Sequence, residues 1–258
     1  MANIHVALLS ILDQKSLFTK PFSYFVKLAV GMGYNGFEVQ PPRSIFPIGF
    51  QLRFSLPNPE KYFIKSLHQS FRSERWPWQW ITHQRKKDAL KAYILFNYRP
   101  DSPKDLRRIM KNLGHEIPVV LYPSHPGEKP VTRFDFQEML IQPSLGWMQT
   151  HWISNPKDYI EAIRRHGFHG LAIDTAHVQS CQKYMHVPTE FLIKSWFSYI
   201  YEVHISLSRE VGDDQETHRI LEILKDYGYY GLYVVETAPN PNPNFHKKIV
   251  DDLQRILS

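Results

Sequence analysis

Apolar residues recur along this chain in short runs of strand length, and most runs are followed by a stretch with helical spacing. Ile4 to Ile11 is the first run. Thr19-Lys20-Pro21 then opens a helix, with Pro near its first position, and Phe22, Phe25, Val26, Ala29 and Met32 carry the period up to Gly31 and Gly33. Gly36-Phe37-Glu38-Val39 reads as a second strand, and Ile64 to Phe71, containing His68, as a third. Between them, Pro41, Pro42, Pro47, Pro57 and Pro59 are mixed with Phe46, Phe50 and Phe54. One regular helix cannot run through that spacing of prolines, so a long ordered loop is expected over residues 41–60.

The pattern from Arg75 to Leu113 is mostly helical, with a break at Pro100 to Pro103. Ile117 to Tyr122 and Met139 to Gln142 read as the fourth and fifth strands, with Pro126 and Pro130 leaving little room for a helix between them. The second half is more regular. Helices are expected from Asn155 to Gly167, Pro188 to Ile200, Thr217 to Tyr227 and Phe245 to Ile256. Strands are expected at Gly170–Asp174, Tyr201–Ile205 and Gly231–Glu236. Alternation of this kind implies a parallel sheet with helical crossovers. Eight such strands in 258 residues suggest one (β/α)8 TIM barrel domain spanning 1–258, irregular around strands 2–5; two small domains would also fit the length.

Composition narrows the setting. The chain is 43% hydrophobic and 22% charged, as expected of a folded protein, and no apolar run approaches the ~20 residues of a membrane helix. With Cys181 alone, an intrachain disulfide and a cysteine zinc knuckle are excluded; with no signal-like N-terminus, a cytoplasmic setting is expected. A net charge of +6 favours an anionic partner: a phosphorylated small molecule, a nucleotide or nucleic acid. Arg72, Arg75, Trp76, Trp78, Trp80, His83, Arg85, Lys86 and Lys87 interleave charge with aromatic faces. They suit either a nucleic-acid groove or a basic helix face whose tryptophans pack on the barrel. No Gly-rich phosphate loop or Gly-x-Ser-x-Gly elbow is present.

Three successive strands end in metal-competent residues: Asp174, His204 and Glu236. In a β/α barrel these ends share one mouth, so the three would converge, each opening a loop. Oxygen and imidazole donors suit zinc, manganese or iron. Each residue could equally be a polar strand end hydrogen-bonded to its loop. His177, three residues after Asp174, could touch substrate or cap its own loop. Arg43, with Phe46 and Phe50, lies on the proline-rich loop that would lid the mouth.

Ile173-Asp174-Thr175-Ala176-His177 resembles the Asp-Thr-x-His motif on the sixth strand of the xylose isomerase-like barrels, a superfamily that includes endonuclease IV. Val203-His204-Ile205 resembles its seventh-strand metal histidine, and Val235-Glu236-Thr237 its eighth-strand metal glutamate. His68 sits where endonuclease IV has a third-strand zinc histidine. The resemblance implies metal ligation by Asp174, His204, Glu236 and the residue at position 142. It implies catalytic roles for Glu236, His177 and His68, and substrate contacts from Tyr122, His125 and Arg43. The departures are specific. Tyr122 stands where the fourth strand often ends in a ligand histidine, with His125 three residues on. Gln142 stands where a bridging glutamate is usual, and an amide is a poorer ligand that cannot act as a base. A single divalent ion, weakly held or lost, is therefore expected rather than a cluster. The implied activity is a metal-dependent isomerase or epimerase acting on a sugar or sugar phosphate. The alternatives are an endonuclease IV-like phosphodiesterase acting on DNA and a barrel that binds a ligand without catalysis. Oligomeric state is not legible in the sequence.

Overall fold

In a computed structural model, which describes residues 2–41, 47–68, 103–121, 139–143, 156–207 and 215–258, eight parallel strands close into a barrel in the order β1-β2-β3-β4-β5-β6-β7-β8. The strands are β1 (Asn3–Ala7), β2 (Phe37–Val39), β3 (Ile64–His68), β4 (Val119–Leu121), β5 (Met139–Ile141), β6 (Gly170–Asp174), β7 (Ile200–Leu207) and β8 (Leu232–Thr237). The ring is closed by β1 pairing with β8, with Asn3 opposite Leu232 and Val6 opposite Val235. The expected (β/α)8 barrel is what the chain forms. The first apolar run divides: its strand stops at Ala7, and Leu8–Ile11 turns into a 3-10 helix.

Side chains alternate across the barrel wall. Val6, Phe37, Val39, Leu67, Val119, Leu121, Leu171, Ile173, Val203, Ile205 and Val235 join the main apolar core under the outer helices. The opposite set faces inward. There Val120, Leu140 and Ala172 form a small separate apolar cluster. Apart from Ala7 and Val234, most other inward positions are polar, and hydrogen bonds link β3 to the end of β5, and both to β7, across the interior. This is the period-two pattern of a strand applied to a closed wall, with residues from alternate strands sharing a layer.

The outer helices bury what the patterning marked as apolar. The described helices are α1 (Gln14–Thr19), α2 (Phe22–Gly31), α3 (Pro47–Phe54), α4 (Asn58–Lys61), α5 (Pro103–Leu113), α6 (Pro156–His166), α7 (Thr175–Met185), α8 (Thr189–Trp196), α9 (Gln215–Asp226) and α10 (Pro243–Leu257). Trp196 is fully buried, meets Tyr159 edge to face, and donates its indole N–H to the Pro156 carbonyl at 2.8 Å, fixing α8 to the start of α6. Burial of a side chain that size contributes about 2–3 kcal/mol.

Two expectations are corrected. The 41–60 stretch is not simply a loop, since it holds α3 and α4. Pro47 begins α3, and Pro59 lies in the first turn of α4, where a missing N–H costs nothing. The prolines start helices here instead of breaking one. Gln51 of α3 accepts from the Phe22 N–H at the head of α2, and Asn112 of α5 donates to the Gln51 and Leu52 carbonyls. Second, Asp174 does not open a loop. It is the N-cap of α7, a helix whose inward residues Val178 and Cys181 are fully buried. Among the described residues, no helix is long and apolar enough to cross a membrane.

Candidate metal centre

The barrel wall brings five polar side chains to one place. Glu38 comes from β2, His68 from β3, Gln142 from just past β5, His204 from β7 and Glu236 from β8. His68 Nε2 and Gln142 Oε1 are 3.1 Å apart, and Gln142 Nε2 lies 3.3 Å from His204 Nδ1. Glu236 Oε1 is 3.2 Å from the same Nδ1. On the other side of the ring, His204 Nε2 lies 3.0 Å from Glu202 Oε1 and 3.1 Å from Glu38 Oε2. The Glu202 contact has hydrogen-bond geometry, whereas Glu38 is within ion-pair distance but leaves both its oxygens without a hydrogen bond.

These groups are strongly perturbed. Burial opposes charge on His204, but the carboxylates of Glu38 and Glu236 and hydrogen bonds donated to Glu202 and Glu236 outweigh it, holding the imidazole well above its ordinary pKa. Burial pushes the Glu38 carboxyl well above the usual carboxylate range, against the pull of His204. Burial pushes Glu236 the same way, but there His204, His68 and His177 prevail and hold it well below that range.

One ligand atom from each of Glu38, His68, His204 and Glu236 falls within 4.8 Å of the others, the one such group among the described residues. Three carboxylates surround one imidazole, and a fully buried Glu38 has no hydrogen bond. A divalent cation here would offset the excess negative charge. The donor set, two imidazoles and two carboxylates, suits zinc, manganese or iron. The residues present therefore fit such an ion.

The residues singled out in the sequence distribute as follows. His68, His204, Glu236 and Gln142 converge at the centre. Asp174 is buried at the end of β6 beside them, but its carboxylate is engaged: Oδ1 accepts from the Ala176 and His177 N–H groups at 2.8 and 3.0 Å, and Oδ2 accepts from Ser206 Oγ at 2.5 Å. His177 lies in the first turn of α7, where its Nδ1–H donates to the Pro143 carbonyl at 2.6 Å. That bond leaves Nε2 with its lone pair, the form a proton acceptor needs. Arg43, Tyr122, His125 and the basic, tryptophan-rich stretch lie outside the described residues.

Glu38 and Glu202 were not singled out. Each is an acid inside an apolar strand, Phe37-Glu38-Val39 and Tyr201-Glu202-Val203. A charge at a position that period two assigns to a buried face is a signal available in the sequence.

No family model matches this chain, and no curated protein matches it. Solved structures do match in fold. The 3-keto-D-glucoside 4-epimerase YcjR from E. coli is 13% identical, with 99% of this chain and 100% of that one covered and a TM-score of 0.60. A sugar phosphate isomerase/epimerase from Parabacteroides distasonis is 14% identical over 100% of this chain and 96% of that one, with a TM-score of 0.56. SacUVDE is 9% identical over 99% of each chain, with a TM-score of 0.54. At these identities the likeness is one of fold: the chain shares with these proteins a closed eight-stranded TIM barrel.

Proposed function

We propose that this chain is a metal-dependent isomerase or epimerase acting on a sugar or sugar phosphate, with one divalent cation at the mouth of the barrel. The observation that carries the reading is the convergence of Glu38, His68, His204 and Glu236 on one small region, with buried carboxylate oxygens that make no hydrogen bond. The solved neighbours named as sugar epimerases and isomerases support the substrate class.

Such a cation would polarise a carbonyl and hold the adjacent hydroxyl, lowering the cost of removing a proton from the carbon between them. Glu236, His204 and His68 would hold it, and Glu38, across the His204 ring from Glu236, would add its charge from behind. Gln142 stands between the two imidazoles as a neutral spacer; it accepts from one and fixes both rings. With an amide at this position, the proton acceptor is sought elsewhere. His177 is the candidate, since Pro143 holds its Nδ1–H and turns Nε2 away as the basic nitrogen. Arg43, Tyr122 and His125 are proposed to complete the substrate side, Asp174 to support the mouth through Ser206, and an anionic group on the substrate to meet the chain's net charge of +6.

The test has two stages. The purified chain is analysed for bound metal and titrated with Zn²⁺, Mn²⁺ and Co²⁺. The loaded protein is then incubated with ketoses and their phosphates in D₂O, and proton NMR reads deuterium entering the carbon beside the carbonyl. Tight binding of one equivalent, with exchange lost in Glu236→Ala, is expected. Failure of every cation to bind would overturn the reading. DNA containing abasic sites serves as the control substrate, and its cleavage would replace the sugar assignment with phosphodiester hydrolysis.

A further inference from the structure

The one acid on β7, Glu202, is not used by the reading above. Glu202 lies two residues before His204, so both point into the barrel, and it is fully buried. Its Oε1 accepts from Ser66 Oγ of β3 at 3.0 Å and from His204 Nε2 at 3.0 Å. Its Oε2 has no hydrogen bond. A buried carboxylate is a costly way to fill space. Elsewhere in the interior the same job is done by Val120, Leu140 and Ala172.

The imidazole of His204 shows what the acid can do. Its two nitrogens face different surroundings. Nε2 faces Glu202 and Glu38, both fully buried, while Nδ1 faces Gln142 and Glu236, and Glu236 is 26% exposed toward the mouth. A ring nitrogen that donates a hydrogen to a carboxylate cannot offer its lone pair to a cation. The contact with Glu202 therefore keeps the hydrogen on Nε2 and leaves Nδ1 as the coordinating atom, on the side where substrate would arrive. Ser66 holds the carboxylate to this task from the opposite wall.

We propose that Glu202, held by Ser66, is a positioning residue that fixes His204 with Nδ1 toward the mouth and raises its strength as a cation ligand. This rests on the metal reading above. Partners of this kind typically change metal affinity by about 10–100-fold.

The experiment is a Co²⁺ titration of the full chain, read by the visible absorption bands of the bound ion, on wild type, Glu202→Gln, Glu202→Leu and Ser66→Ala. Glu202→Gln keeps the size and an acceptor oxygen but removes the charge, and should bind Co²⁺ about 10-fold more weakly. Glu202→Leu should lose about 100-fold and shift the absorption bands, because Nε2 loses the acceptor that holds its hydrogen. Ser66→Ala should lose a few-fold, the smaller end of the same range. Circular dichroism confirms that each variant is folded; if Glu202→Leu is not, the other two carry the test. Wild-type affinity and an unchanged spectrum in Glu202→Gln and Ser66→Ala would overturn the proposal while leaving the metal reading standing. A wild-type chain that gives no Co²⁺ bands would overturn both.

Discussion

His68 Nε2 meets Gln142 Oε1 at 3.1 Å across the interior of the barrel, from β3 to just past β5. A neutral amide thus fills the gap between His68 and His204. Gln142→Glu should raise cation affinity by tenfold or more, since it adds a charge beside both imidazoles (about 1.4 kcal/mol per tenfold). Metal titration checks this. It should also lower the stability of the metal-free protein, because a fourth buried acid joins Glu38, Glu202 and Glu236 around His204.

His204 is the counter-charge to three acids, so its removal is expected to be more damaging than that of any one partner. His204→Ala should abolish cation binding and destabilise the metal-free fold by about 3–5 kcal/mol, the usual cost of leaving a buried charge unpaired. Glu236→Gln should also abolish tight binding, but with a smaller stability loss, since Glu236 is partly exposed. Urea unfolding of the two variants separates the effects. Equal losses would contradict the central place given to His204.

Asp174 caps α7 with two hydrogen bonds and receives a third from Ser206. Asp174→Ala should lower stability by about 1–2 kcal/mol. Asp174→Asn retains a good N-cap and should lose only a few tenths. Cation affinity in Asp174→Asn is expected to stay within threefold of wild type. A larger fall in the titration would place the carboxylate among the ligands.

Two buried histidines make the fold acid-sensitive. His5 donates from Nε2 to Asn3 Oδ1, and burial lowers its pKa from 6.5 to about 4, with Glu202 opposing more weakly and Lys65 adding to the fall. His246 donates from Nε2 to the Asn240 carbonyl and accepts from the Tyr34 hydroxyl at Nδ1; burial lowers its pKa too. Both are neutral in the fold, so the unfolded chain binds more protons as pH falls below 6.5. Their contribution is complete above that value and is lost as pH drops toward 4, by up to about 3 kcal/mol for His5. Thermal melts from pH 7 to pH 4.5 should show a falling Tm, with a shallower fall in His5→Leu. A Tm independent of pH over that window would contradict this account.

Much of the barrel was legible because each strand carries its own signal. Val203, Ile205 and Val235 alternate with inward residues, and helix faces such as Ile220, Leu221 and Leu224 repeat at 3.6. The same local reading failed over residues 41–60. A proline ends one helix and begins another with equal ease, and only the packing of α3 against α5 shows which. It failed too just after Asp174, where a loop was expected and α7 begins, because an acid at a strand end suits either.

The sequence by itself determined the order of elements, the apolar outer wall and the polar strand ends of the second half, because these depend on periods of two and 3.6 within single segments. Only the tertiary structure decided the membership of the site. Glu38, His68, Glu202 and His204 lie on strands up to 166 positions apart, from 38 to 204 in the chain. They meet because closing the ring places β2, β3 and β7 around one interior. The direction in which each ring nitrogen of His204 points is likewise a product of that closure, set by which acids face it from other strands.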